Sequence, residues 1–364
     1  MPGTCLARAW HRPPATNPAA LARIDASFAG PSAAAGHGNV TPHEMSAPFP
    51  YREFDLSVID TYPLASRASK ARREHFARPS AAGVTVAALV DSLPDMLAGA
   101  DFKSAVHAVA AAKRDDAGIV WGLGAHVIKT GLGPVLIDLM ERGFVSAIAT
   151  NGAAVIHDFE VALVGATSED VDAALRPGRF GMAEETGRLL NAAINEGVRD
   201  GLGIGQSIGR FLAAAAPPFA AISVVASAAR LKIPLTVHVA LGTDVIHMHP
   251  NASGAALGEG SLRDFRYFVS NVARLERGVY LNCGSAVVLP EVFLKAVALA
   301  RNQGAAMAEL TTINLDFIRS YRAQTNVVSR PTMVSGRGYS IIGHHEIMIP
   351  LLAAAVIELD QRLR

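Results

Sequence analysis

Thr150, Asn151 and Gly152, then His157, Asp158 and Glu160, put an amide, an imidazole and two carboxylates within about three helical turns of one another. An apolar run from Phe144 to Ala149 precedes them, and another from Phe159 to Val164 follows. A small-residue turn at the carboxyl end of a strand lets backbone N–H groups approach a phosphate-bearing cofactor. An imidazole that titrates near neutrality, beside a carboxylate that orients it, can move a proton. His157 is therefore the expected general acid or base, and Asp158 its orienting partner. The same residues also read as a capped helix, with Thr150 or Asn151 as cap and both carboxylates well placed in the first turns. Capping alone does not call for His157.

Three further turns hold unusual polar residues. Gly122, Leu123, Gly124, Ala125 and His126 lead to Lys129, Thr130 and Gly131. Glycines admit close backbone approach, a helix start offers N–H groups to phosphate, and Lys129 adds charge. The spacing matches neither a P-loop nor the standard dinucleotide fingerprint, and a tight turn with a solvated lysine reads equally well. His238, Thr243, Asp244, His247, His249 and Asn251 form the next group. If that segment is extended, His247 and His249 share a face. Histidines and an aspartate can ligate zinc; substrate hydrogen bonding, proton transfer or a structural role are the favoured uses. The last turn is Asn282, Cys283, Gly284 and Ser285, with Glu291 on the helix that follows. Cys283 is a nucleophile only if a helix N-terminus lowers its pKa, and a small buried side chain is the favoured reading. At Gly343, His344, His345 and Glu346, adjacent positions put His345 and Glu346 on different helical faces, so they are not a paired ligand set.

Strands and helices must hold these turns. Apolar periodicity predicts helices over Asp101–Ala112, Gly133–Glu141, Met182–Glu196, Gly203–Ala214, Phe219–Arg230, Leu262–Leu275, Pro290–Ala300 and about His345–Leu363. Strands are predicted over Gly118–Gly122, Phe144–Ala149, Ile233–Ala240, Gly278–Asn282 and Gly304–Thr311. Such alternation implies an α/β, doubly wound, mostly parallel sheet covered on both faces. Right-handed crossovers then bring the strand ends to one edge, where a site belongs.

Half of the 364 residues are hydrophobic, 18% are charged, and the net charge is +1. No basic field calls for nucleic acid. Cys5 and Cys283, the two cysteines, make neither a disulfide framework nor a cysteine zinc cluster. The apolar window Phe211–Leu241 is interrupted by Pro217, Pro218, Arg230 and Lys232, so a buried helix and strand are expected there rather than a membrane span. Residues 1–48, rich in Ala, Pro, Gly and Ser, read as disordered, and residues 49–364 as a single α/β domain. Met45 is a candidate start, a transit peptide is the competing reading of this stretch, and no secretory signal is visible. A cytoplasmic protein is expected, and the sparse charge suggests a homo-oligomer, a dimer or a tetramer.

From about Gly122 onward the chain resembles the deoxyhypusine synthase family, in the order and spacing of segments more than in identity. Leu123–Met140 is similar to that family's first cofactor turn and helix, and Ala149–Leu163 to its small-residue turn with acidic residues. Pro234–Asp244 resembles its strand ending in Thr-Asp, Gly284 and Ser285 its glycine cluster, and Gly343–Leu352 its closing segment. The resemblance implies a Rossmann-like fold and NAD, with Thr130, Thr150, Asn151, Gly152, Asp244, Gly284, Ser285 and His344 around the dinucleotide. The family's imine-forming lysine falls near Val328, Ser329 and Arg330, and arginine cannot serve as that nucleophile. Where the family has a substrate aspartate, His247 and His249 stand, and imidazoles do not attract a polyamine. The expectation is thus an NAD-binding enzyme acting on a small molecule by hydride transfer, with His157, His247, His249 and Glu291 as candidate acting groups. Aminobutyl transfer, a His/Asp metal-dependent hydrolase or lyase, and a non-catalytic ligand sensor are the alternatives.

Overall fold

The computed structural model describes residues 53–363. The expected disorder of residues 1–48 lies outside them. The chain divides into two units, residues 1–68 and 69–364. In the first, the described part carries two single 3-10 turns, Leu56–Val58 and Leu64–Ser66, with no buried residue.

The second unit is built on six parallel strands: β1 (Ile119–Leu123), β2 (Ala147–Asn151), β3 (Leu235–His238), β4 (Val279–Cys283), β5 (Thr311–Asp316) and β6 (Arg337–Ile342). Their order across the sheet is β3-β2-β1-β4-β5-β6. The direction of winding therefore reverses between β1 and β4, which pair from Ile119↔Val279 to Leu123↔Cys283. Each sequence-predicted strand overlaps its counterpart, but β5, expected over Gly304–Thr311 and running from Thr311 to Asp316, does so at Thr311 alone. Thr312 and Asn314 are buried within it, so the strand carries no continuous apolar signature. The edge strand β6, Arg-Gly-Tyr-Ser-Ile-Ile, is mostly half-exposed and escaped prediction for the same reason.

Alternation along the strands divides the core. Ile119, Trp121, Leu123, Leu281, Ile313 and Leu315 face one layer made by α1 (Val86–Ser92), α2 (Leu97–Arg114), α3 (Ala125–Lys129), α4 (Gly133–Glu141) and the C-terminal helix (His345–Leu363). Val120, Ala149 and Tyr280 face the other, whose helices include Gly254–Val272 and Val288–Asn302. A third cluster flanks β3, joining α5 (Gly152–Val164), α7 (Glu184–Arg199) and α8 (Ile204–Ala215), with the short α6 (Val171–Leu175) between the first two. The remaining long helices are numbered in chain order as α9 (Val224–Leu231), α10 (Gly254–Val272), α11 (Val288–Asn302) and α12 (His345–Leu363), with a short helical turn, Tyr321–Ala323, running into a π-helical one, Gln324–Ser329, between the last two. Among the described residues, no helix is long and apolar enough to cross a membrane.

Candidate functional site

Where the winding reverses, the β1 and β4 turns touch backbone to backbone. The Gly124 N–H donates to Cys283 O at 2.8 Å, and the Gly284 N–H to Leu315 O at 3.0 Å. A Cβ on Gly124 would stand 2.0 Å from Gly284 O, so no larger residue fits without moving main chain. Asn282 pins the β4 turn: its Nδ2 donates to Ser285 O at 2.9 Å and to Asn314 Oδ1 at 2.7 Å. Ser285 Oγ accepts from Leu289 N and anchors the start of α11. Gly284 and Ser285, both expected at the site, thus lie in the tight turn between β4 and α11. The Cys283 thiol is wholly enclosed and burial pushes its pKa up, so it is a core group and not a nucleophile.

The end of β2 is arranged differently from a phosphate cradle. Thr150 Oγ1 donates to Leu123 O at 2.8 Å, and Asn151 Oδ1 caps α5 by accepting from Ala154 N at 3.0 Å. The Asp244 carboxylate, delivered from the loop after β3, lies so close to Gly152 that a Cβ there would be 2.1 Å from Oδ2. It also takes the Ala153 N–H. The helix N-terminus that sequence offered to phosphate is therefore filled by the chain's own acid. Burial raises the Asp244 pKa, against the opposing pull of His247. His247 Nδ1 accepts from the N–H groups of Gly242 (3.1 Å) and Asp244 (3.3 Å), which leaves the proton on Nε2. That Nε2 lies 3.8 Å from Asp244 Oδ2, and both atoms are buried with no partner. A ligand hydroxyl, able to donate and accept, matches this pair.

The expected pairing of His157 with Asp158 is not formed. Asp158 is buried and accepts from Ser223 Oγ (2.5 Å), Val224 N (2.7 Å) and Val225 N (3.0 Å), which fastens the start of α9. Successive helical residues face different directions, so the neighbour in sequence could not orient the imidazole. His157 Nδ1 instead meets Thr167 Oγ1 at 2.7 Å, and that hydroxyl donates to Glu160 Oε2 at 2.5 Å. Burial lowers the His157 pKa. Lys129 is exposed at the end of α3 and near enough to His157 to influence its charge. Thr130 and Gly131 lie in the turn between α3 and α4, with the Thr130 hydroxyl donating to His126 O.

The histidines after β3 do not gather. His249 Nε2 meets Gly181 O at 2.9 Å, with its ring against Gly187. His238 Nε2 meets Thr236 Oγ1 at 3.1 Å, and its ring packs on Phe268. Among the described residues, no group of three His, Cys, Asp or Glu side chains could hold a metal ion. This corrects the alternative of a metal centre made from His238, Asp244, His247 and His249. Glu291, near the start of α11, is paired with Lys295 and Arg322 and accepts from Asn326 Nδ2 at 2.9 Å.

Sequence reasoning gave no role to Asp316 or Phe317, at the end of β5. Burial raises the Asp316 pKa, opposed by N–H bonds from Phe317 and Ile318 and by nearby His345 and His126. His345 is fully buried, and His344 is exposed beside Glu346. An acid at the end of a strand with alternate buried polar residues was the available signal.

No family model and no curated protein matches this chain. Among solved structures, a conserved protein of Methanococcus maripaludis S2 assigned to LOR/SDH is 15% identical over 73% of this chain and 71% of that one, with a TM-score of 0.49. AgrE, crystallised with ornithine and NAD+, is 17% identical over 72% of this chain but 33% of its own, with a TM-score of 0.46. An Entamoeba histolytica protein assigned as a deoxyhypusine synthase is 13% identical over 76% of this chain and 95% of that one, with a TM-score of 0.42. The chain thus spans about a third of the length of AgrE. Likenesses at this level carry no functional argument.

Proposed function

We propose that this chain is an NAD-binding enzyme of the deoxyhypusine synthase-like superfamily that acts on a small molecule by hydride transfer and does not make deoxyhypusine. One observation carries the reading: the winding reverses between β1 and β4, where Gly124 and Gly284 meet with no space for a side chain. A dinucleotide binds across such a switch point, one mononucleotide on each half of the sheet. In the classic arrangement an acid near the end of β2 holds a ribose hydroxyl. Here β2 ends in Asn151, and Asp244 comes to the same place from the loop after β3. Its unpartnered Oδ2, with His247 Nε2, suits a ribose hydroxyl. Gly284, Ser285 and His344 belong to the opposite half. Lys129, Thr130 and Gly131 are left as groups near the phosphates. When bound, the nicotinamide supplies a hydride acceptor or donor.

His157, His247 and Glu291 stay candidates for contact with the small molecule or the cofactor. Against aminobutyl transfer, the chain has only Lys295 after Lys232, and Lys295 is ion-paired with Glu291. A homo-oligomer in the cytoplasm belongs to the same proposal, supported by the exposed side chains of Tyr321, Met333, Val334 and Ile347. Isothermal titration with NAD+, NADH, NADP+ and NADPH tests the reading. Binding of at least one is expected; absence of binding by all four at millimolar concentration refutes it. Formation of NADH and diaminopropane from NAD+ and spermidine would instead restore the deoxyhypusine synthase reading.

A further inference from the structure

Three elements distant in sequence bring an acid and two imidazoles to one end of the crevice. His345, at the start of α12, is wholly enclosed, and its Nε2 donates to Leu315 O at 3.2 Å and lies 3.8 Å from Asp316 Oδ1. With the proton on Nε2, Nδ1 is an acceptor, and it is buried without a partner. The His345 ring packs on Gly284, in the turn that follows β4. His126, half-buried on the β1 turn, sets its ring edge-on to His345 at 5.3 Å between centroids. Phe317 lies against both rings, 5.8 Å from His126 and 6.1 Å from His345, and is parallel to His344 at 6.4 Å. Asp244 marks the first half of the sheet as the adenosine side. The second half, formed by β4 to β6, is left for the nicotinamide. The cluster lies there.

We propose that His126 accepts the proton released when a small secondary alcohol or amine is oxidised in this half of the crevice, with His345 and Asp316 as positioning residues behind it. This rests on the dinucleotide reading above. With NAD+ bound, the substrate's C–H bond would break and its hydrogen would leave with both electrons to the nicotinamide. The O–H or N–H bond breaks with its proton passing to an imidazole nitrogen of His126, and a C=O or C=N bond forms. The protonated ring then returns its proton to water. His345 holds the His126 ring edge to face, and Asp316 Oδ1, 3.8 Å from His345 Nε2, backs the His345 ring in turn. Other titratable groups at this end include Cys283 on β4, which interacts with Asp316, and His344 and Glu346, 3.8 Å apart. Phe317 and Ile318, just after β5, and Val287, just before α11, are exposed apolar side chains, which suits a substrate with a short apolar substituent.

The test uses the full chain. Calorimetry with NADH is run on wild type, His126→Gln and Asp316→Asn, and NAD+ reduction is then followed with a panel of short-chain secondary alcohols and amines. Wild type is expected to turn over at least one panel member. His126→Gln should hold NADH within about threefold yet lose about a hundredfold or more in kcat. His126→Gly should regain turnover with added imidazole. Asp316→Asn should lower kcat about tenfold while KM and NADH affinity stay within about threefold, because the His345 ring behind His126 loses its neighbouring carboxylate. No turnover of the panel by wild type that binds NADH overturns the inference, as does a His126→Gln enzyme with unchanged kcat. If no dinucleotide binds at all, the reading under Proposed function fails first.

Discussion

Replacing His238 with Gln should make the protein less sensitive to acid. His238 ends β3, is 4% exposed, and meets Thr236 Oγ1 and the edge of Phe268. Burial pushes its pKa from 6.5 down to about 3, so the folded chain keeps this ring neutral while the unfolded chain protonates it. Between pH 6.5 and 3 the unfolded state therefore binds more protons, and stability falls as pH falls through that window. The loss is ~1.4 kcal/mol per pH unit, or ~2.7 kcal/mol by pH 4.5. Buried Asp158 and Asp264 act in the opposite sense: their pKa values are raised to about 6 and about 7, so acidification through those values adds stability. The whole-protein curve mixes these effects, whereas the difference between variant and wild type isolates His238. At pH 7.5, urea unfolding should find His238→Gln less stable by ~1 kcal/mol through lost ring packing. At pH 4.5 the order should reverse, with the variant ahead by ~1.7 kcal/mol. A gap that stays the same at both pH values would refute the assignment of a neutral, enclosed imidazole.

Asp158→Ala removes the acceptor for one hydroxyl and two N–H groups at the start of α9 and should cost ~3 kcal/mol in urea unfolding; an unchanged midpoint would contradict the anchoring role. Asp244→Asn keeps the shape but removes the charge at Gly152, so NADH affinity should fall by about tenfold with an unaltered circular dichroism spectrum. Equal affinity would remove Asp244 from the ribose site. Gly124→Ala forces a methyl group against Gly284 O, and calorimetry should show NADH binding lost; retained binding would place the dinucleotide elsewhere.

The fold was legible wherever apolar periodicity was unbroken. The helices Gly133–Glu141 and His345–Leu363 have the bounds expected of them, the first helped by Pro134 at its first turn. Strand β5 was misplaced because Thr312 and Asn314 are buried as polar groups, with Asn314 held by Asn282 on the neighbouring strand. Such a pair is invisible until the strands are in register. The turns at Gly284 and Asn151 could be read because small residues follow apolar runs there. What they do could not, because Asp244 reaches Gly152 from some ninety residues away and occupies the helix end that looked free. His157 next to Asp158 illustrates the converse: adjacency in sequence suggested a pair, and the helix turned the two apart. Asp316 and His345 meet only because β5 and α12 end and begin at one edge.

Hydrogen exchange of the full chain with and without NADH tests most directly whether the switch-point crevice holds a dinucleotide. Exchange should slow in the segments 122–127, 150–154, 283–288 and 316–319, and nowhere at the opposite edge of the sheet. Slowing confined to other segments, or no change with NADH in excess, would contradict the account.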